Sequence, residues 1–330
     1  MQAIGYSRFG PASEVLSVVE LETPAPSAGE VCVELAFSGV NPSDVKARAG
    51  ARPGATTPAF PLIVPHSDGS GVIVAVGPGV DPALIGARVW IWNGQWQRAF
   101  GTAASHITLP VAQAIALPSE VSLETGASLG IPGLTAAHVV FGGGDVAGQT
   151  LLIHGGAGTV GHLAVQLAAW AGARVIATAR GAGLARCAAA GADVVLDYTA
   201  PDLAEQILAA TAGAPISRII EVEFGMNIET NAAVIAPNGT IAAYGSALNM
   251  TPSLPFYPLL FKAVTIDIAL IYLLDNTARQ VATAKLHAAL RAGAVSCPVQ
   301  SVFPLADTAL AHEAVERGQR SGAVLIDVAR

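Results

Sequence analysis

Residues 154–180, HGGAGTVGHLAVQLAAWAGARVIATAR, carry the densest chemistry in the chain. The apolar run TLLIH leads into Gly156, Ala157, Gly158, Thr159, Val160 and Gly161, a G-x-G-x-x-G string at the mouth of a helical pattern. Glycine at 156 permits a tight turn, glycine at 158 lets the backbone approach a pyrophosphate, and glycine at 161 lets helix and strand pack closely. The helix start offers unpaired N–H groups to the anion. A second apolar run, ARVIATA, ends in Thr178, Ala179 and Arg180, where a site for an unphosphorylated ribose would carry Asp or Glu. Without that acid nothing repels a 2′-phosphate, and the Arg180 guanidinium supplies a charge-assisted donor fork for one. These residues predict a dinucleotide site that takes NADPH.

The elements that must position this loop follow a clear rhythm. From about residue 121, strand-like runs (TLLIH, ARVIATA, DVVLDY, SRIIEV, GTIAAYGS) alternate with helical segments such as VGHLAVQLAAWAG and DLAEQILAAT. This is the pattern of right-handed βαβ units and a parallel sheet covered on both faces. Before that point, EVCVELAFSGV and GSGVIVAVGPGV are short β-branched runs closed by Gly, Pro and Asn, as in an all-β or barrel-like unit. The final segments, AVSCPVQSVFPL, DTALAHEAVERG and GAVLIDV, read strand, helix, strand and can return to the first half. The expected class is α/β, with one domain at 1–120 completed by 265–330, and a nucleotide-binding domain at 121–264.

Composition narrows the function. With 52% hydrophobic and 12% charged residues, the 330-residue chain raises the question of a membrane protein. Its most apolar stretch, LPFYPLLFKAVTIDIALIYLL (254–274), is interrupted by Pro255, Pro258, Lys262 and Asp267, and reads as a helix and a buried strand. The opening MQAIGYSRFG lacks an apolar signal region, so a cytoplasmic location is expected. Cys32, Cys187 and Cys297 are widely spaced, which disfavours a disulfide framework or a zinc clasp. A net charge of -7 without a basic cluster disfavours nucleic acid and leaves small molecules as partners.

The strings GVNPSDVKARAG (39–50), PHSDGSGVIVAVGPGV (65–80), GASLGIPGLTA (126–136), SRIIEV (217–222) and NGTIAAYGS (238–246), with the glycine loop, resemble the zinc-free quinone oxidoreductases. These form the zeta-crystallin-like branch of the medium-chain dehydrogenase/reductase family. The resemblance implies a GroES-like partial β-barrel domain plus a Rossmann doubly wound parallel-sheet domain. In zinc-dependent cousins three ligands hold the catalytic metal. Those positions fall here on Asn41, Ser67 and Ile131, a set poorly suited to zinc, and the cousins' four-cysteine structural lobe is missing. No metal is expected, and His66, beside the second position, reads as structural or solvent-facing. Without a Lewis acid, alcohol oxidation loses its main driving feature, whereas hydride delivery to an activated acceptor stays feasible.

The resemblance also carries over site residues. It implies that Thr135, with the turn at Ile131 and Pro132, lies near the nicotinamide, that Tyr198 lies near the adenosine phosphate or adenine, and that Tyr244 and Gly245 join the cofactor set. Where relatives commonly have a tyrosine near the substrate, this chain has Lys46. Lys46 could donate a proton or hydrogen bond to the acceptor oxygen, or be a surface lysine paired with Asp44 or the cofactor. Asn41 could hold that oxygen through its amide or fix the NPSD loop. Asp68 is expected to brace its Gly-rich loop, and His106, His138 and His154 to be structural. Trp90 and Trp92 read as core, with Trp96 and Phe100 as cleft candidates.

The function implied is NADPH-dependent, zinc-independent hydride transfer to a quinone or an α,β-unsaturated carbonyl. The alternatives are an enoyl-thioester reductase and a non-catalytic NADPH-binding redox sensor. A homodimer through the edge strand TIDIALIY is the expected assembly.

Overall fold

A computed structural model describes residues 1–51, 54–318 and 320–330. They divide into two compact units, Met1–Ile131 with Cys297–Arg330, and Pro132–Ser296.

In the first unit, β1 (Gln2–Gly5) pairs with β2 (Ser17–Glu20) across the short helix α1 (Ala12–Val15). The larger sheet is built on β3 (Glu30–Val40), whose β-branched and buried residues Val31, Val33 and Val40 face the core. Antiparallel to it run β4 (Asp68–Val76) and β6 (His106–Pro110). Beyond β4 lie β5 (Arg88–Ile91) and β7 (Ala114–Ala116). On the other side of β3 come the C-terminal strands β15 (Ala323–Asp327) and β14 (Val299–Pro304). Segments from before and after the second unit therefore complete one sheet. Helices α2 (Pro42–Arg48), α3 (Leu123–Gly126) and α11 (Thr308–Glu316) pack around it.

The second unit holds a six-stranded, wholly parallel sheet. Its strands are β8 (Thr150–Ile153), β9 (Arg174–Ala179), β10 (Val194–Asp197), β11 (Ile216–Glu221), β12 (Ile235–Ala243) and β13 (Thr265–Ile268). The order β10-β9-β8-β11-β12-β13 is the 3-2-1-4-5-6 arrangement of a Rossmann sheet, with its switch point between β8 and β11. Helices α4 (Leu134–Phe141), α5 (Thr159–Trp170), α6 (Gly183–Ala189), α7 (Leu203–Ala210), α8 (Phe224–Val234), α9 (Phe256–Leu260) and α10 (Asn276–Arg291) connect and cover the strands. The sheet's central strands read as continuous apolar runs because both faces are buried.

Two expectations need adjustment. The unit boundaries fall at 131/132 and 296/297 rather than 120/121 and 264/265. Residues 265–296 stay with the second unit because β13 pairs with β12 in the parallel sheet, and α10 packs against α4. The strand within 254–274 is also not buried. It is the sheet's free edge, with Ile268 79% exposed. Among the described residues no helix is long and apolar enough to cross a membrane.

Candidate functional site

The glycine loop leaves β8 at the switch point of the parallel sheet, the position where such folds bind ligands. The residue that needs the left-handed region is Gly155, at φ +64, rather than Gly156. Gly156 is required for a different reason, since a Cβ there would stand 2.9 Å from Cys187 Sγ and 3.1 Å from Ala177 Cβ. At Gly161 a Cβ would come within 2.3 Å of the Gly155 carbonyl oxygen, so only glycine lets α5 start so close to the turn.

Gly158 differs from both. It is exposed, caps α5 in an extended conformation, and a Cβ on it would meet only the Gly155 oxygen at 3.4 Å. The protein's own packing does not demand a glycine there, which leaves close approach by a ligand as the reason. Beside it, Thr159 Oγ1 is buried without a hydrogen-bond partner. An open glycine, an unsatisfied hydroxyl and the first turn of a twelve-residue helix fit a pyrophosphate. Ala157 and Val160 complete the loop, half-buried.

At the end of β9, Arg180 is exposed, with its guanidinium carbon 6.0 Å from the centre of the Tyr198 ring. The structure thus brings these two sequence candidates together. Asp197 also faces Arg180, and its carboxyl is held below the usual range chiefly by hydrogen bonds from Thr199, with Arg180 adding. Across the switch point, Gly245 lies so close to Val222 that a Cβ would stand 2.4 Å from the Val222 oxygen. Burial pushes the neighbouring Tyr244 hydroxyl up, with Glu221 adding. Thr135 is buried on α4, next to a π-helical turn at Leu129–Gly133 that contains Pro132.

Asn41 and Lys46 belong to the first unit. Asn41 caps α2, and its N–H donates to Asp44 Oδ2 at 2.8 Å. Its Nδ2 donates to Asp68 Oδ2, also at 2.8 Å. Asp68 is fully buried. Burial pushes its carboxyl well above the usual range, against the lowering pull of the Ile131 backbone amide and Asn41, while Asp44 adds to the rise. Residues 41, 68 and 131 are therefore neighbours, and Asp68 is a partner of Asn41 that the sequence reading placed only in its own loop. Lys46 is exposed on α2. Trp90 and Trp92 are buried as expected, whereas Trp96 is half-buried and Phe100 exposed. His66 is fully buried, not solvent-facing. Among the described residues, no group of three or more His, Cys, Asp or Glu is arranged to hold a metal ion.

Two matched family profiles follow the same division of the chain. The profile of the Alcohol dehydrogenase GroES-like domain matches residues 27–119, and that of the Zinc-binding dehydrogenase matches residues 159–287. The chain is 30% identical over 262 residues to the chloroplast envelope quinone oxidoreductase homolog of Arabidopsis thaliana, covering 76% of this chain and 75% of that one. It is 27% identical over 334 residues to the 2-haloacrylate reductase of a Burkholderia species, covering 99% and 98%. The crystal structure of Escherichia coli quinone oxidoreductase complexed with NADPH superposes with a TM-score of 0.86 at 25% identity, covering 99% of this chain and all of that one. The chain belongs to the quinone oxidoreductase branch of the medium-chain dehydrogenase/reductase family.

Proposed function

We propose that the protein is a zinc-independent reductase that uses NADPH to reduce a quinone or the carbon–carbon double bond of an α,β-unsaturated carbonyl. The carrying observation is the open space at Gly158 beside the unpartnered Thr159 Oγ1, on the same parallel sheet as the Arg180–Tyr198 pair. Gly156 to Gly161 bind the pyrophosphate through backbone N–H groups, and Arg180 pairs with the 2′-phosphate. The NADPH in the E. coli relative's structure and the unsaturated acid in the Burkholderia relative's name support the cofactor and the acceptor class.

The donor set does not fit a catalytic zinc. Isoleucine has no ligating atom, and the neutral serine hydroxyl and asparagine amide are poor zinc ligands beside thiolate and imidazole. Bound NADPH supplies the hydride, and this chain's residues hold the reactants together, which is where most of the barrier is lowered. Thr135 positions the nicotinamide side. Asn41, with one amide hydrogen on Asp68, keeps the other for the acceptor oxygen as it gains charge. The exposed Lys46 ammonium serves as proton donor to that oxygen.

The edge strand β13 presents unpaired backbone groups flanked by exposed Phe261, Ile268 and Leu273, which supports a homodimer built across it. The three free cysteines suit a reducing, cytoplasmic compartment.

The test is oxidation of NADPH and NADH in parallel against ortho- and para-quinones, 2-alkenals and a 2-haloacrylate, for the wild type and Arg180→Ala. Turnover that prefers NADPH, with the KM for NADPH raised at least about tenfold in the variant, is the expected result. Binding of NADPH without turnover on any acceptor would replace this reading with a sensing role.

A further inference from the structure

Beneath the glycine loop lies a chain of four buried polar side chains. Glu221 ends β11 and is fully buried. Its Oε1 accepts from the Glu223 N–H at 2.6 Å and from Asn227 Nδ2 at 2.9 Å, and its Oε2 accepts from Asn231 Nδ2 at 2.8 Å. Asn231 Oδ1 lies 2.9 Å from His154 Nε2, and His154 Nδ1 lies 3.1 Å from Thr178 Oγ1. That hydroxyl oxygen in turn accepts the Gly155 N–H at 3.3 Å.

The direction of every bond in this chain follows from its first member. An ionised carboxylate only accepts, so Asn231 must turn its NH2 toward Glu221 and its carbonyl toward His154. A carbonyl only accepts, so His154 Nε2 carries a proton, and in the neutral imidazole Nδ1 then offers its lone pair. Thr178 therefore donates its hydroxyl hydrogen to Nδ1, which leaves an oxygen lone pair aimed at the Gly155 N–H. Gly155 is the left-handed residue of the turn, and its carbonyl accepts from the Gly158 N–H at 2.9 Å. Both sides of this residue are thereby fixed. Thr178 also stands two residues before Arg180, so one hydroxyl ties the start of the pyrophosphate loop to the strand end that carries the 2′-phosphate candidate.

We propose that Glu221, Asn231, His154 and Thr178 form a directed hydrogen-bond relay that holds Gly155 in place, making them positioning residues for the dinucleotide loop. The relay rests on the reading of that loop as the NADPH site, but its direction is a property of the cofactor-free protein.

Two measurements test it. In the cofactor-free protein labelled with 15N-histidine, His154 is expected as the Nε2–H tautomer near neutral pH, and an Nδ1–H tautomer overturns the relay. In Thr178→Val, which keeps the shape and removes the hydroxyl, the part-buried Gly155 N–H loses its partner, and its amide exchange is expected to accelerate about tenfold or more. The same variant should weaken NADPH binding about five- to tenfold in a fluorescence titration, raising the KM for NADPH with kcat nearly unchanged, and Thr178→Ser should restore both. A Thr178→Val protein that unfolds at lower temperature yet keeps wild-type Gly155 exchange and NADPH affinity reduces the chain to a stabilising device and overturns the proposal. Wild-type protein that shows the expected tautomer and exchange but binds no NADPH would defeat the NADPH reading while keeping the relay's direction. Were Thr178→Val not to fold, the tautomer and the Thr178→Ser affinity still decide.

Discussion

Nε2 of His66 lies 2.8 Å from Nε2 of His312, and the two imidazoles, 246 positions apart in sequence, are both fully buried. His66 Nδ1 continues to Ser38 Oγ at 2.9 Å, and Ser38 to Thr102 Oγ1 at 2.8 Å. Within the first unit this chain fastens α11, near the C-terminus, to the turn that leads into β4. It also holds His66 at φ +77, a conformation that favours glycine.

The pair makes the protein acid-labile above the carboxylate range. Burial pushes His66 down to about 3, and pushes His312 well below its ordinary value, with His66 and Arg48 adding. In the unfolded chain both imidazoles take up protons near pH 6.5, whereas in the folded chain they do not. The unfolded state then binds more protons, so the contribution is fully present above about pH 6.5 and falls as pH drops toward 3. The loss is at most about 1.4 kcal/mol per pH unit per histidine. Urea unfolding at pH 7.0 and 5.5 should show this loss in the wild type and a flatter response in a His66→Asn, His312→Leu double variant. Equal pH dependence in the two proteins would remove these histidines as its cause.

The loop glycines should separate by what surrounds them. Gly161→Ala places a Cβ against the Gly155 carbonyl and should cost about 1–3 kcal/mol or more of stability. Gly158→Ala meets open space, so its stability cost should stay within about 1 kcal/mol, while NADPH affinity falls at least tenfold. Thermal unfolding and a binding titration on both variants check this. Equal affinity of Gly158→Ala and the wild type would mean that no ligand approaches there.

Asp68 should tolerate loss of its charge. Because burial favours the neutral acid, Asp68→Asn keeps an acceptor for Asn41 Nδ2 and is expected to cost under about 1 kcal/mol. Asp68→Leu removes that acceptor and should cost more. Chemical denaturation of both variants, with Asp68→Asn losing more stability than Asp68→Leu, would refute a neutral Asp68.

Ile268→Lys should leave the folded monomer unchanged, since that side chain is exposed on the free edge of the sheet. A charged residue there should split the proposed dimer. Light scattering at matched concentration reads this directly, and a wild-type monomer would refute the dimer itself.

Much of the second unit is legible in the sequence because its central strands are buried on both faces and alternate with helices, so β8 to β12 and the glycine loop stand out. The stretch 254–274 reads both as a buried strand and as the edge strand TIDIALIY, because apolar composition does not distinguish a covered strand from an edge strand. Near the loop, the spacing of Gly156, Gly158 and Gly161 gave the motif but misplaced the left-handed residue, since two adjacent glycines at 155 and 156 can each take the turn and only packing against Ala177 and Cys187 decides. The run SRIIEV reads as a strand, but nothing local links its Glu221 to Asn231 or His154. The contacts of Asn41 with Asp68 and of His66 with His312 arise from chain segments that tertiary structure alone brings together.

The return of β15 to β3 also sets a timetable. Phe37 to Val40 must wait for residues 324–327 to be made before that side of β3 is paired. Translating residues 132–296 in between takes roughly 10–30 s at about 5–20 residues per second. The continuous second unit can fold on the ribosome during that interval, while the first unit holds an unpaired strand edge until residues 324–327 emerge. Ribosomal pausing or premature termination after residue 296 would therefore yield a chain with a finished Rossmann unit and an aggregation-prone barrel.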